Sequence, residues 1–131
     1  KKPATKDQIL SLINKSKLHA LWDQPNFSNL ERDYDNNIDL VKNAVSILIK
    51  EWEQDSLKLK EAILNYDYET INRIKHKIIT SIRRLQLDYF ESYIEKLSER
   101  NVKTDQNYQV FELNEMFNYY IEMMIQYKMK S

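Results

Sequence analysis

The sequence contains no glycine and no cysteine, and it has only two prolines and two histidines. Without glycine, glycine-rich phosphate loops cannot be built, so P-loop and dinucleotide-binding proteins are excluded, and turns that need positive φ lack their usual residue. Without cysteine there is no disulfide, no thiolate zinc site and no cysteine nucleophile. Two histidines are too few for a multi-histidine metal site, so we expect neither a metal nor a cofactor.

The charges are balanced, because 20 basic side chains face 20 acidic ones among 131 residues. No net field therefore draws the chain to nucleic acid or to an anionic membrane. Apolar runs are a few residues long, far below the ~20 that a membrane span needs. The chain does not begin with methionine, and we expect it to be one domain of a longer cytoplasmic protein.

Apolar residues recur every three or four positions along most of the chain, and this period predicts amphipathic α-helices. Short polar links between long helices imply antiparallel neighbours. We therefore predict an all-α, up-down four-helix bundle with an extra N-terminal helix. The predicted layout is a linker or disordered arm over residues 1–5, a helical extension over residues 6–26 and the bundle over residues 27–131.

The predicted helix boundaries follow from capping residues and from where the apolar period stops. Asn37 and Asp67 are suitable N-caps, and Asp88 with Glu91 resembles a capping box. The inward stripe of the last helix is predicted to be Val110, Leu113, Phe117, Tyr120, Ile121 and Met124. The predicted helices cover residues 6–22, 27–33, 38–65, 67–87, 88–100 and 106–130.

The helix predicted over residues 67–87 turns His76 away from its apolar stripe. At about 100° per residue, the stripe lies at least about 120° from His76, so the imidazole is expected to face solvent. The stripe consists of Ile71, Ile74, Ile78, Ile82 and Leu85. The face of His76 holds Glu69, Asn72, Arg73, Ile79, Thr80 and Arg83, flanked by Lys75 and Lys77.

An exposed imidazole among cations suits phosphoryl transfer. A neutral ring is nucleophilic at cellular pH, and neighbouring cations stabilise the charge on a transferring phosphoryl group. The same pattern also fits an ordinary solvated helix surface, and periodicity does not separate the two. Other residues of catalytic type receive structural interpretations: His19 packs locally near a helix end, and Glu51, Glu53 and Asp55 lie on a solvated face.

From Phe27 onward the sequence resembles the histidine phosphotransfer (HPt) domains of multistep bacterial phosphorelays. The opening segment FSNLERDYDNNIDLVKNAVSILIKEWEQDSLKLKEAI looks like the first stretch of the family, and YFESYIEKLSE resembles its later helix. Between them, NYDYETINRIKHKIITSIRRLQL looks like the segment that holds the phospho-acceptor. Within that segment the residues that match the family pattern are Asp67, His76, Ile78, Ser81 and Leu85.

The resemblance implies a phosphorelay intermediate without independent catalytic turnover. His76 would accept a phosphoryl group from a receiver-domain aspartate and pass it to another receiver. The expected partners are response-regulator receiver domains, within the same hybrid kinase or separate, with magnesium on the receiver and none on this chain. Phosphoryl stabilisation is expected from the nearby cations Lys75, Lys77 and Arg83, in place of the lysine of the family. Receiver docking is expected from Asn72, Arg73, Ile79 and Thr80, with Ile79 as an exposed apolar contact.

Three positions depart from the family pattern. Ile79 and Thr80 stand where the family usually has lysine and glycine, and Gln86 stands where a glycine is frequent. The lysine pairs with the phosphoryl group in the family, and glycine leaves room above the imidazole, whereas threonine has a branched Cβ. Two alternatives therefore stay open: an HPt-like module that docks receivers without phosphotransfer, and an unrelated helical interaction module.

Overall fold

A computed structural model describes residues 22–97 and 106–130, and the described residues form helices and turns with no strand. The all-α prediction is therefore confirmed for this part of the chain. The arm predicted over residues 1–5 and the helix predicted over residues 6–22, except Trp22, lie outside the described residues. The helices described are α1 (Ser28–Asp33), α2 (Ile38–Leu64), α3 (Tyr68–Arg84), α4 (Asp88–Glu95) and α5 (Gln106–Met129).

The starts of α2 and α3 that were predicted from capping residues are confirmed. The Asn37 side chain accepts a hydrogen bond from the backbone N–H of Leu40, 3.3 Å away, and caps α2. The Asp67 carboxylate accepts one from the N–H of Thr70, 3.2 Å away, and caps α3. Each bond satisfies a backbone donor that the first turn of a helix leaves without a partner.

The capping box predicted at the start of α4 is wrong. Leu87 is the N-cap, no side chain caps the helix, and Asp88 is already inside it. Leu87 is fully buried, so apolar packing fixes where α4 starts. The helix also ends at Glu95, earlier than the predicted end near residue 100, and the next residues fold back through a hydrogen bond from the Leu97 N–H to the Ile94 carbonyl.

The turns between the long helices use positive φ without glycine, contrary to the expectation from composition. In the α3–α4 turn, the N–H of Gln86 bonds to Arg83 and the N–H of Leu87 bonds to Ile82, which is the Schellman arrangement that ends many helices. The α2–α3 turn repeats this geometry around Tyr66. Positive φ occurs at Asp35, Asn36, Tyr66 and Gln86, with values from 52° to 61°.

The long helix α2 packs against both α3 and α5. On the α5 side, Lys60 Nζ donates to Asn114 Oδ1 at 2.7 Å, and Gln106 Nε2 donates to the Ile63 carbonyl at 3.0 Å. Lys42, near the start of α2, donates to the carbonyl of Lys130, beyond the end of α5. Because the start of each helix lies beside the end of the other, α2 and α5 are antiparallel.

Aromatic side chains from three helices meet in the core. Trp52 of α2 meets Phe90 of α4 and Phe117 of α5 edge to face, with ring centroids 5.7 and 5.8 Å apart. Tyr120 packs on Phe90 with centroids 4.9 Å apart. The predicted inward stripe of α5 is confirmed, since Leu113, Phe117, Tyr120 and Met124 are buried and Val110 and Ile121 pack against them. Within the described ranges, no helix has the length and hydropathy of a transmembrane span.

Candidate functional site

His76 is exposed on the outer face of α3, as predicted. The inner face of the helix carries Ile71, Ile74, Ile78 and Ile82, all of which are buried. Because these side chains fix the rotation of α3 about its axis, the imidazole points to solvent. Asn72 and Thr80, one turn before and one turn after His76, are also exposed. An exposed imidazole on a packed helix is accessible to a macromolecular partner.

Lys75 lies on the α4 side of α3, and its ammonium is hydrogen-bonded to main-chain carbonyls. Its ammonium donates to the carbonyls of Leu97, 2.7 Å away, and Glu95, 3.0 Å away. The charge therefore sits at the C-terminal end of α4, where the helix dipole favours a cation. Burial lowers the pKa of Lys75, and the attraction of Glu95 partly offsets this effect. Two of the three donors of the Lys75 ammonium are therefore already used by main-chain carbonyls.

Lys77 lies on the α2 side and pairs with Asp55, which corrects the prediction that Asp55 belongs to a solvated face. The Lys77 Nζ and Asp55 Oδ1 atoms are 3.1 Å apart, and the Asp55 side chain is only 2% exposed, whereas Lys77 is 52% exposed. A buried carboxylate needs a charged or hydrogen-bonding partner, so Lys77 satisfies a core residue of α2. Like Lys75, it is already engaged with the protein.

Arg83, the third residue assigned to phosphoryl stabilisation, is paired with acidic residues of α4. Its Nε lies 3.1 Å from Glu91 Oε2, and an Nη lies 3.6 Å from Glu95 Oε1. The guanidinium is 62% exposed, so this is a surface ion pair that contributes little stability. Arg83 nonetheless faces two carboxylates, which neutralise much of its field.

Ile79 is partly buried and packs against the core, which corrects the expectation of an exposed apolar contact. In the helical register it lies between the outer face that holds His76 and the inner stripe that holds Ile78 and Ile82. A residue at this boundary contributes to packing, and only its outer edge is available to a partner. The docking surface predicted around His76 therefore consists mainly of polar side chains.

Arg73 differs from the other three cations near His76. Its side chain makes no hydrogen bond and no ion pair with any described residue. It lines a cavity of about 220 Å³ between α2 and α3, together with Lys58 and Thr70. The pKa of Asp67 is lowered by its hydrogen bonds from the Thr70 hydroxyl and N–H, and more weakly by the charge of Arg73. The guanidinium is thus near Asp67 without being bound to it.

Three contacts next to the site were not predicted from the sequence. The Trp52 indole N–H donates to Ser81 Oγ at 2.9 Å, and the Ser81 hydroxyl donates to the Ile78 carbonyl at 2.9 Å. The ion pair between Asp55 and Lys77 was also not predicted. A signal for Asp55 was available, because the apolar period of α2 is interrupted at this residue, but periodicity cannot tell a buried acid from a break in the pattern.

Within residues 22–97 and 106–130, no three His, Cys, Asp or Glu side chains come together in a way that could hold a metal ion. Comparison with known proteins adds no functional assignment. No family model, no curated protein and no solved structure matches this chain.

Proposed function

We propose that this chain is a phosphorelay intermediate that accepts a phosphoryl group on His76 from a receiver-domain aspartate and passes it to a second receiver. The proposal rests mainly on one observation, the exposure of His76 on the outer face of α3. The inner stripe of α3 fixes this orientation, so the ring is presented without any rearrangement of the fold. The chain would act in the cytoplasm as one module of a signalling relay.

The proposed step is an in-line exchange of one bond for another. The neutral ring nitrogen of His76 attacks the phosphorus of the aspartyl phosphate, and an N–P bond forms as the O–P bond breaks. The electron pair of the broken bond stays on the aspartate carboxylate, and the proton of the other ring nitrogen passes to water. Magnesium on the receiver neutralises charge on the phosphoryl group, and this chain supplies the nucleophile.

An antiparallel arrangement of α2, α3, α4 and α5 as a four-helix bundle belongs to the same proposal. Three contacts support it: the Lys60–Asn114 and Gln106–Ile63 bonds between α2 and α5, and the Trp52–Ser81 bond between α2 and α3. Such a bundle gives α3 a rigid backing on its inner face. Rigid backing suits an acceptor that must meet a phosphodonor in line.

A docking module without phosphotransfer is the second candidate, and the contacts made by the residues around His76 are the observation that favours it. Ile79 is partly buried in place of the lysine of the HPt pattern, and Lys75, Lys77 and Arg83 all have protein partners. Thr80 places a branched side chain one turn from His76. A receiver could then bind this surface while its aspartyl phosphate stays in place.

The experiment is to mix the chain with a ³²P-labelled receiver and magnesium and to follow label on the chain. We expect an acid-labile, alkali-stable label in the wild type and in His19→Gln, the matched control, and none in His76→Gln. Label that persists in His76→Gln would exclude His76 as the acceptor. Receiver binding without label in the wild type would support the docking module instead.

A further inference from the structure

Resting on the proposed function, we propose that Arg73 is the catalytic residue that contacts the phosphoryl group on His76, with Lys58 of α2 adding positive charge to the cavity that both residues line. This differs from the assignment made from the sequence, which gave that role to Lys75, Lys77 and Arg83. The difference comes from the partners that each cation has in the folded chain.

The three cations of the earlier assignment are held by the protein. Lys75 bonds to two carbonyls, Lys77 to a carboxylate that is 2% exposed, and Arg83 to two carboxylates of α4. A cation that moved to a phosphoryl group would leave these acceptors without their partner, and for buried Asp55 that loss is expensive. A cation without such bonds can contact the phosphoryl group at much lower cost.

Arg73 and Lys58 meet this requirement. Neither side chain makes a hydrogen bond or an ion pair with any described residue, and both line the cavity of about 220 Å³ between α2 and α3. Two carboxylates, Glu61 and Asp67, line the same cavity, and the partial effect of Arg73 on the pKa of Asp67 indicates a long-range attraction. A phosphoryl group carries about two negative charges and would attract the guanidinium more strongly than either of these carboxylates does.

The position of Arg73 in the helix also fits. Residues three apart on a helix are neighbours, with Cβ atoms about 5–6 Å apart, so Arg73 lies one turn before His76 on the same outer face. The guanidinium is planar and presents paired N–H donors that match two phosphoryl oxygens. The lysine of the HPt pattern would come from the turn after the histidine, whereas here the charge comes from the turn before it.

Phosphoramidate is a suitable probe because it phosphorylates histidine without any receiver. Its P–N bond breaks as the N–P bond to His76 forms, and ammonia leaves with the electron pair after taking up a proton. We expect Arg73→Gln to slow labelling of His76 by about tenfold to hundredfold, Arg73→Lys to restore part of the rate, and Lys58→Gln to slow it less. The matched control is Arg84→Gln, an exposed arginine of α3 that pairs with Asp33 and lies two turns from His76.

The outcomes separate the two proposals. Label on wild-type His76 at a rate unchanged in Arg73→Gln would overturn the role of Arg73 and leave the proposed function standing. A slowing in Lys75→Gln or Lys77→Gln as large as that in Arg73→Gln, in variants that keep their helical circular dichroism, would also overturn it. Absence of label on wild-type His76 with both phosphoramidate and a phosphorylated receiver would overturn the proposed function itself.

Discussion

The α4 side and the α2 side of α3 are stabilised in different ways. On the α4 side, Lys75 binds main-chain carbonyls and Arg83 makes a surface ion pair, so neither cation compensates a buried carboxylate. On the α2 side, Lys77 reaches a buried carboxylate while Arg73 stays unbound. Cations that surround one histidine on the same helix therefore have different roles, which depend on the helix that each of them faces.

The largest effect is expected from breaking the ion pair on the α2 side. Lys77→Met leaves the buried carboxylate of Asp55 without its partner and should lower the free energy of unfolding by about 3 kcal/mol. Lys75→Met on the α4 side removes bonds to two main-chain carbonyls but leaves no buried charge behind, and we expect a loss of about 1 kcal/mol. Urea unfolding followed by circular dichroism measures both.

A double variant tests the cause of that difference. Asp55→Leu combined with Lys77→Met replaces the pair by apolar side chains and should return to within about 1 kcal/mol of the wild type. If Lys77→Met alone lowers the free energy of unfolding no more than Lys75→Met does, the buried ion pair does not distinguish the α2 side from the α4 side.

The two turns at the ends of α3 allow a smaller test. Gln86 has positive φ and no hydrogen bond from its side chain to any described residue, so Gln86→Gly should raise the free energy of unfolding by about 0.5–1 kcal/mol. Tyr66→Gly relieves the same strain but loses the bond from the Tyr66 hydroxyl to Gln106 Oε1, 3.1 Å away, and should give no net gain. An equal gain in both variants would mean that the Tyr66 bond is unimportant.

The smallest effect concerns the charge of the α3 cap. The pKa of Asp67 is lowered, so the ionised form is favoured by folding: its stabilisation is present above the ordinary pKa of about 3.9 and is lost as the pH falls through the lowered value. Asp67→Asn can still cap the helix but does not titrate. Unfolding curves from pH 7 to pH 2 should therefore show the two proteins converging in acid, and a constant difference would contradict this.

Helix capping residues and apolar periodicity predicted much of the fold. Helix α2 was predicted over residues 38–65 and runs over Ile38–Leu64, because Asn37 and the apolar period act within a few residues. The start of α4 was mispredicted because burial of Leu87 depends on distant helices, and the positive φ of Gln86 was missed because a missing glycine does not prevent a turn that packing enforces. Both features depend on tertiary packing, which neither capping preferences nor residue composition describes.

At the candidate site, too, local features were predictable from the sequence and contacts between helices were not. The exposure of His76 follows from the rotation of α3, which the spacing of its isoleucines determines. The partners of Lys75 and Lys77 could not be predicted, because they lie on α4 and α2 and depend on how the helices are placed side by side. For the same reason the buried position of Asp55 and the partial burial of Ile79 became visible only in the folded chain.

The hydrogen bond between the Trp52 indole and Ser81 has a spectroscopic consequence. The bond joins the core of α2 to the helix that carries His76, so rotation of α3 about its axis would change the polar environment of the indole. The fluorescence emission of Trp52 is therefore an intrinsic reporter on α3. A partner that binds the outer face and turns the helix would shift that emission, whereas one that binds a rigid helix would leave it unchanged.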